Sequence, residues 1–170
     1  EAEGVEMPIT LEISYRDVVR TYLPTPGLVA QEIQAQLSAV GIETEIVQME
    51  SGAFLDAADA GELELHLLGW GADYPDATNF LDFHFGVGSS DQFGEKFPDI
   101  FENLTAGGQL ADPAERYPFY LAANEALRDN VPMIPVAHGS SAVAYSADIA
   151  GNPHSSPLGN EYFAVMEDPD

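Results

Sequence analysis

The chain has 170 residues, room for one ordinary domain and not comfortably two, and 45% of them are hydrophobic, enough for a packed core. Five Lys and Arg residues face 29 Asp and Glu, a net charge of -24. No basic patch can be assembled from Arg16, Arg20, Lys96, Arg116 and Arg128, which excludes nucleic acid and an anionic membrane surface as partners. Cysteine is absent, so there is no disulfide, no thiol nucleophile and no cysteine–zinc site. No run approaches the roughly 18 apolar residues of a membrane span. Apolar residues recur at regular spacing, which speaks against disorder despite the charge. The acidity reads as a solubility surface, with a field that attracts cationic ligands as the alternative. The opening Glu1-Ala2-Glu3-Gly4 reads as a point inside a longer protein.

Residues 8–15 alternate as a strand, with Ile9, Leu11, Ile13 and Tyr15 on one face. Pro24-Thr25-Pro26-Gly27 breaks the chain; Thr25 suits a helix cap and Pro26 the first helical position. Val29, Ile33, Leu37 and Val40 follow on one helical face, and Gly41 stands where a helix ends. Residues 42–49 alternate again, with Glu43 and Glu45 opposite Ile42 and Ile46. Residues 51–60 read as a short helix closed by Gly61. Leu63 to Trp70 is more continuously apolar and predicts a third, more buried strand. Strand–helix–strand–helix–strand with short connections predicts parallel strands and right-handed crossovers.

The second half is less regular. Asn79 to Phe85 reads as a helical turn. Asp112-Pro113-Ala114-Glu115 opens a helix to about Arg128, with Pro118 predicting a kink or a later start. Pro132 to Val136 predicts a strand, and residues 151–170, rich in Gly, Pro, Asn and Ser, predict loop.

Ligands of open parallel sheets sit beyond the carboxyl ends of the strands. The first strand leads into Arg20-Thr21-Tyr22 and the third into Trp70-Gly71-Ala72-Asp73. Parallel strands bring both loops to one edge, which makes Arg20, Tyr22, Trp70 and Asp73 the candidate ligand-binding set. The set supplies a guanidinium for a carboxylate, a carboxylate for an amine, and two aromatics for a flat or apolar group. Each has a structural alternative: Trp70 as core at a strand end, Asp73 as a cap of the turn before Pro75, Arg20 as half of a surface ion pair, Tyr22 as a packing residue.

The run Gly69-Trp70-Gly71-Ala72-Asp73-Tyr74-Pro75-Asp76-Ala77-Thr78-Asn79-Phe80-Leu81 resembles the family 5 extracellular solute-binding proteins, the peptide- and nickel-type binding components of ABC importers. Arg20-Thr21-Tyr22-Leu23-Pro24, Ala30 to Glu50 and Tyr120 to His138 agree with that family in order and spacing, so the likeness covers roughly residues 8–145. The resemblance implies an α/β, periplasmic-binding-protein-like lobe with a mainly parallel sheet flanked by helices. Residues 1–170 would be a single carboxy-terminal lobe, with a core over about 8–145 and a loop-rich tail over 151–170. It implies capture of a peptide, or another small solute such as a sugar or metal chelate, in a cleft shared with an amino-terminal lobe. Delivery would be to ABC permease subunits, from an extracytoplasmic position with a lipid anchor on the complete protein. Asp73 matches the Asp that receives a peptide's α-amino group in the family's peptide binders, and Arg20 and Tyr22 match residues that the dipeptide binders hold near the peptide. Thr21 stands where those binders have Pro, a departure that bears on the role of Arg20.

An enzyme is the rival class. The histidines, His66, His84, His138 and His154, form no metal-binding pattern. Asp82-Phe83-His84 offers two metal ligands at most, and Gly139-Ser140-Ser141 makes no nucleophile elbow. Asp73 and Asp76 in an exposed turn lack the burial that would tune an acid–base pair. The reading is therefore of a binding protein with no catalytic residues, no metal and no cofactor. A pure interaction module would leave Trp70 and Asp73 without a ligand.

Overall fold

The computed structural model describes residues 8–139, together with 142, 144–148, 150, 154–155 and 160–161. Its elements run β1 (Ile9–Arg16), α1 (Pro26–Ser38), β2 (Ile42–Met49), α2 (Ser51–Asp59) and β3 (Leu65–Leu67). A 3₁₀ turn (Ala77–Asn79) and the helices α3 (Leu81–Phe85), α4 (Pro98–Gly108) and α5 (Pro113–Asn130) follow, and β4 (His154–Ser155) pairs antiparallel with β5 (Asn160–Glu161).

The three amino-terminal strands are parallel, as the short helical crossovers predict, in the order β2-β1-β3. Ile13 pairs with Ile46 on one side and Leu65 on the other. Both faces of β1 are covered, since the neighbours Ile13 and Ser14 point opposite ways and are each 1% exposed. The Tyr15 hydroxyl lies against Gly27 of α1, on the Ile13 face. His66, the register partner of Ser14, meets the Phe54 ring of α2 on the other. The helices thus flank the sheet from opposite sides, as successive right-handed crossovers require when the strand order reverses.

Local chemistry fixes the ends of these elements. Pro26 starts α1, and Thr25 stands at the cap position without a side-chain bond. Gly41 and Gly61 carry φ of 86° and 70° just beyond α1 and α2, a region open to glycine at little cost. Glu50, rather than a residue inside the helix, caps α2 by accepting from the Gly52 and Ala53 amides. Asp112 caps α5 through the Ala114 and Glu115 amides. Pro118 does not delay that helix, which runs from Pro113 without a break in assignment. Its lost N–H lies in the second turn, and the burial of Tyr120, Ala123 and Ala126 holds the segment helical.

Three sequence expectations change. Val40 lies past the end of α1 and is 65% exposed, so it is not part of the buried face. The third strand is three residues long, half-buried and at the edge, because the Glu64 carboxylate takes the Glu12 amide where the ladder would continue. Pro132 to Val136 is not a strand: prolines at 132 and 135 remove two ladder donors, and Ile134 and Val136 are both 72% exposed. Helix α4 is an addition, marked in the sequence by Pro98 at its first turn and by Ile100 and Leu104 four apart. Residues 151–170 lie largely outside the described residues, apart from the β4–β5 pair.

A second core forms beside the sheet, where Phe85 of α3, Ile100 and Leu104 of α4, and Tyr120, Ala123 and Ala126 of α5 pack together. Leu104 is fully buried in it. Leu104→Ala should lower stability by about 2–5 kcal/mol in urea denaturation, since the closely packed α4–α5 pair has little freedom to collapse into the space. A loss below about 1 kcal/mol would contradict the packing described.

Candidate functional site

The strand order reverses at β1, so the carboxyl ends of β1 and β3 border the crevice where open α/β sheets hold ligands. Two loops leave there. After β1 the chain makes a tight turn in which the Leu23 amide donates to the Arg20 carbonyl, 3.0 Å. After β3 it passes Gly69, where the Tyr22 ring lies so close that a Cβ would stand 2.4 Å from ring carbon Cδ2. Glycine is required at 69 for the two loops to touch. Arg16, Arg20, Tyr22, Leu67 and Leu68 line a small crevice between them.

The Arg20 guanidinium is exposed and makes no hydrogen bond or ion pair among the described residues. The other four cations all have acceptors. Arg16 donates to the Ser51 hydroxyl, Lys96 to the Ser89 carbonyl, Arg116 to Asp76 and Arg128 to Asp129. In a chain so acidic, an unpaired guanidinium at the sheet's carboxyl edge is an available anion partner. The ion-pair alternative for Arg20 therefore finds no support among the described residues.

The second loop is organised by one side chain. Asn79 is 5% exposed, and its Oδ1 accepts from the Trp70 indole Nε1 at 3.1 Å and from the Asp73 backbone amide at 2.9 Å. Trp70 is half-buried, stacks on Phe83 at 4.3 Å between ring centres, and meets His84 edge-on at 5.1 Å. Phe83 is 57% exposed, so the stack forms an aromatic ledge open to solvent. The Asp73 carboxylate is exposed and has no partner among the described residues; its amide, not its side chain, is bound into the turn. The cap of this turn is Asp76, which accepts from the Thr78 amide and hydroxyl.

Asp76 in turn takes a two-pronged bond from Arg116 of α5, Nη1 to Oδ2 at 2.6 Å and Nη2 to Oδ1 at 2.8 Å. Arg116 also donates to the Gly107 carbonyl and the Tyr120 hydroxyl. The Arg116 hydrogen bonds hold the Asp76 carboxyl far below the usual carboxylate range, so this group is no proton donor. Next to it, burial pushes the Asp82 carboxyl up, reinforced by the Asp76 charge, and one of its oxygens is buried without a partner.

The four expected residues thus lie on two loops joined at the Tyr22–Gly69 contact. Asn79 ties Trp70 to Asp73, while no hydrogen bond or ion pair joins Arg20 to either. No sequence pattern gives Asn79, Arg116 or Phe83 a role, and Asp76 shows there only as a rejected acid–base partner of Asp73. The scarcity of cations was the available signal for Arg116. Among the described residues no group of three or more His, Asp or Glu side chains is placed to hold a metal ion.

Residues 11–92 match the family described as Bacterial extracellular solute-binding proteins, family 5 Middle. Over those residues the chain is similar to this family. Di/tripeptide-binding protein 4 of Pseudomonas aeruginosa is 34% identical over 143 residues, which cover 81% of the chain and 26% of that protein. The structure of HbpA2 from Haemophilus parasuis superposes with a TM-score of 0.87 at 26% identity, over 98% of the chain and 34% of that one. A dipeptide-binding protein from a Pseudoalteromonas species in complex with Met-Leu gives a TM-score of 0.73 at 27% identity, again over 98% of the chain and 34% of that one. The chain spans roughly a quarter to a third of the length of these proteins. The neighbours are periplasmic binding proteins in fold, with the parallel sheet and flanking helices expected from the sequence.

Behind the ledge, Gln92 lies 3.2 Å from the Nε2 of His66, and His66 and His84 sit among the rings of Phe54, Phe93 and Trp70, with Nδ1 of His84 buried without a partner among the described residues. Burial lowers the pKa of both histidines, and for His84 the neighbouring Gln92 side chain offsets this in part. The fold therefore favours neutral rings. Their stabilising effect is complete above the ordinary value of 6.5 and is lost as pH falls through the lower folded values. Melting temperature should fall between about pH 7.5 and 5.5, and replacing both histidines by Gln should flatten that slope. Asp82 acts in the opposite sense but is present in both proteins, so the difference reports the histidines. Equal slopes would show that the rings are not buried as neutral groups.

Proposed function

We propose that this chain forms one wall of a cleft that captures a short peptide outside the cytoplasmic membrane and passes it to the permease of an ABC importer. It is the carboxy-terminal lobe of a two-lobed protein whose amino-terminal lobe supplies the other wall. It binds and releases solute and catalyses nothing. The observation that carries this reading is the pair of opposite charges on one sheet edge, the Arg20 guanidinium and the Asp73 carboxylate, each without a partner among the described residues, beside the Trp70–Phe83 ledge. A short peptide carries the complementary set: an ammonium for Asp73, a carboxylate for Arg20 and side chains for the aromatic face. The likeness to a di/tripeptide-binding protein and to a structure that holds Met-Leu supports the same class.

In a closed cleft an ammonium–carboxylate bond is charge-assisted and shielded from water. Asp73→Asn removes the charge and keeps the turn, whose bond to Asn79 comes from the backbone. In the complete two-lobed protein, calorimetry with Met-Leu should show a loss of about 2–5 kcal/mol, by analogy with removing one partner of a buried charge pair. The melting temperature of the unliganded protein should hardly move. N-acetyl-Met-Leu should lose a similar amount against the original protein and little more against Asp73→Asn. Independent, additive losses would mean that Asp73 does not hold the amine and that the solute is another class or is bound in another orientation.

A further inference from the structure

The site has two solute-facing groups on its second loop and one buried atom that both depend on. Indole carries a single donor, and half-buried against Phe83 and His84 that N–H needs an acceptor. The acceptor is Asn79 Oδ1, and the same oxygen also receives the Asp73 amide. Both lone pairs of one carbonyl are therefore used, one for the plane of the aromatic ring and one for the backbone that carries the carboxylate. The oxygen is itself held in place. The Asn79 amide donates to the Asp76 carbonyl at 3.1 Å, and the Asp76 carboxylate is gripped by Arg116 from α5.

We infer that Asn79 is the positioning residue of this site: its one oxygen locks Trp70 and Asp73 into a single unit, so that ring and carboxylate meet the solute with fixed spacing. The inference rests on the peptide-binding reading for its consequence in affinity, but the locking is a property of this chain alone. Asn79 touches no solute; it acts through the two residues that do. Without its oxygen the indole donor must turn toward water, the stack on Phe83 slides, and the Asp73 turn loses its anchor to the buried end of the 3₁₀ turn. A preorganised pair gives up less freedom on binding than a loose one.

Hydrogen exchange by NMR on this chain tests the locking, since Trp70 is its only indole. In Asn79→Leu, which keeps bulk and removes the acceptor, the Trp70 indole proton and the Asp73 amide should both exchange about tenfold faster or more, while the Ile13 amide of β1 is unchanged. In Asn79→Asp, which keeps an acceptor of the same shape and gives it charge, both protons should stay protected and move downfield together. Unchanged protection of the two protons in Asn79→Leu, or no shift of either in Asn79→Asp, would overturn the proposal. In the complete protein, Asn79→Leu should weaken Met-Leu binding about tenfold, and by clearly less in the Asp73→Asn background. A loss of the same size in both backgrounds would make Asn79 merely structural. Failure of the original protein to bind Met-Leu would instead remove the peptide reading, with the exchange data still deciding the role of Asn79.

Discussion

The Arg116–Asp76 pair joins the two halves of this structure. One end belongs to α5 and hence to the core of Phe85, Ile100, Leu104 and Tyr120. The other end caps the turn that carries Asn79, and through Asn79 it reaches Trp70 and Asp73. The bond is two-pronged, and the same guanidinium is fixed further by the Gly107 carbonyl, the Tyr120 hydroxyl and the face of the Tyr120 ring. A lysine could not reproduce that geometry, because it offers a point charge where the planar fork matches both oxygens. The nearby Asp82 makes the cation matter more. Two carboxylates share this region, one of them pushed up by burial, and Arg116 is the positive charge that lowers both. Remove it and the turn that orders the site is left among like charges.

The position of the site follows from topology rather than from any one residue. With β1 in the middle and the connections diverging to opposite faces, the loops after β1 and β3 have no helix between them at the carboxyl edge. The sequence then makes use of that opening. Gly69 lets Tyr22 close over one loop, and the crevice beside it keeps a guanidinium without a partner among the described residues. The aromatic ledge is built differently: Phe93 meets His84 edge-on, His84 meets both Trp70 and Phe83 edge-on, and those two stack on each other. Rigid rings bring contact area with little freedom to lose, which would suit the varied side chains that the proposed peptide binding calls for.

What could be read in advance was what short-range rules control. The first two strands, α1, α2 and the start of α5 follow from alternation, helical spacing, the stops at Gly41 and Gly61 and the cap at Asp112. The shared edge for Arg20, Tyr22, Trp70 and Asp73 followed from parallel strands alone. The misreadings are equally physical. Pro132 to Val136 is apolar enough for a strand, yet its prolines withhold the donors that a ladder needs. Helix α4 was hidden behind the irregular run from Gly86 to Phe97, although Pro98, Ile100 and Leu104 signal it. The bonds of the site were not legible. Arg116 lies 40 positions from Asp76, and Asn79 in a loop sequence has no period to mark it. Such contacts depend on where α5 docks, which no local pattern encodes.

The central strand has one more consequence, for the order of events in folding. β1 is made before either of its neighbours, yet every bond that it forms within the sheet goes to a strand further along the chain. Until residue 67 exists, the most buried strand of the sheet is an open edge on at least one side, and parallel pairing of this kind is slow to form. Open edges recruit other chains. The net charge of -24 works against that recruitment by keeping half-made copies apart. Apart from the Glu64 carboxylate just before β3, the acidity thus also acts on the chain before the sheet is complete.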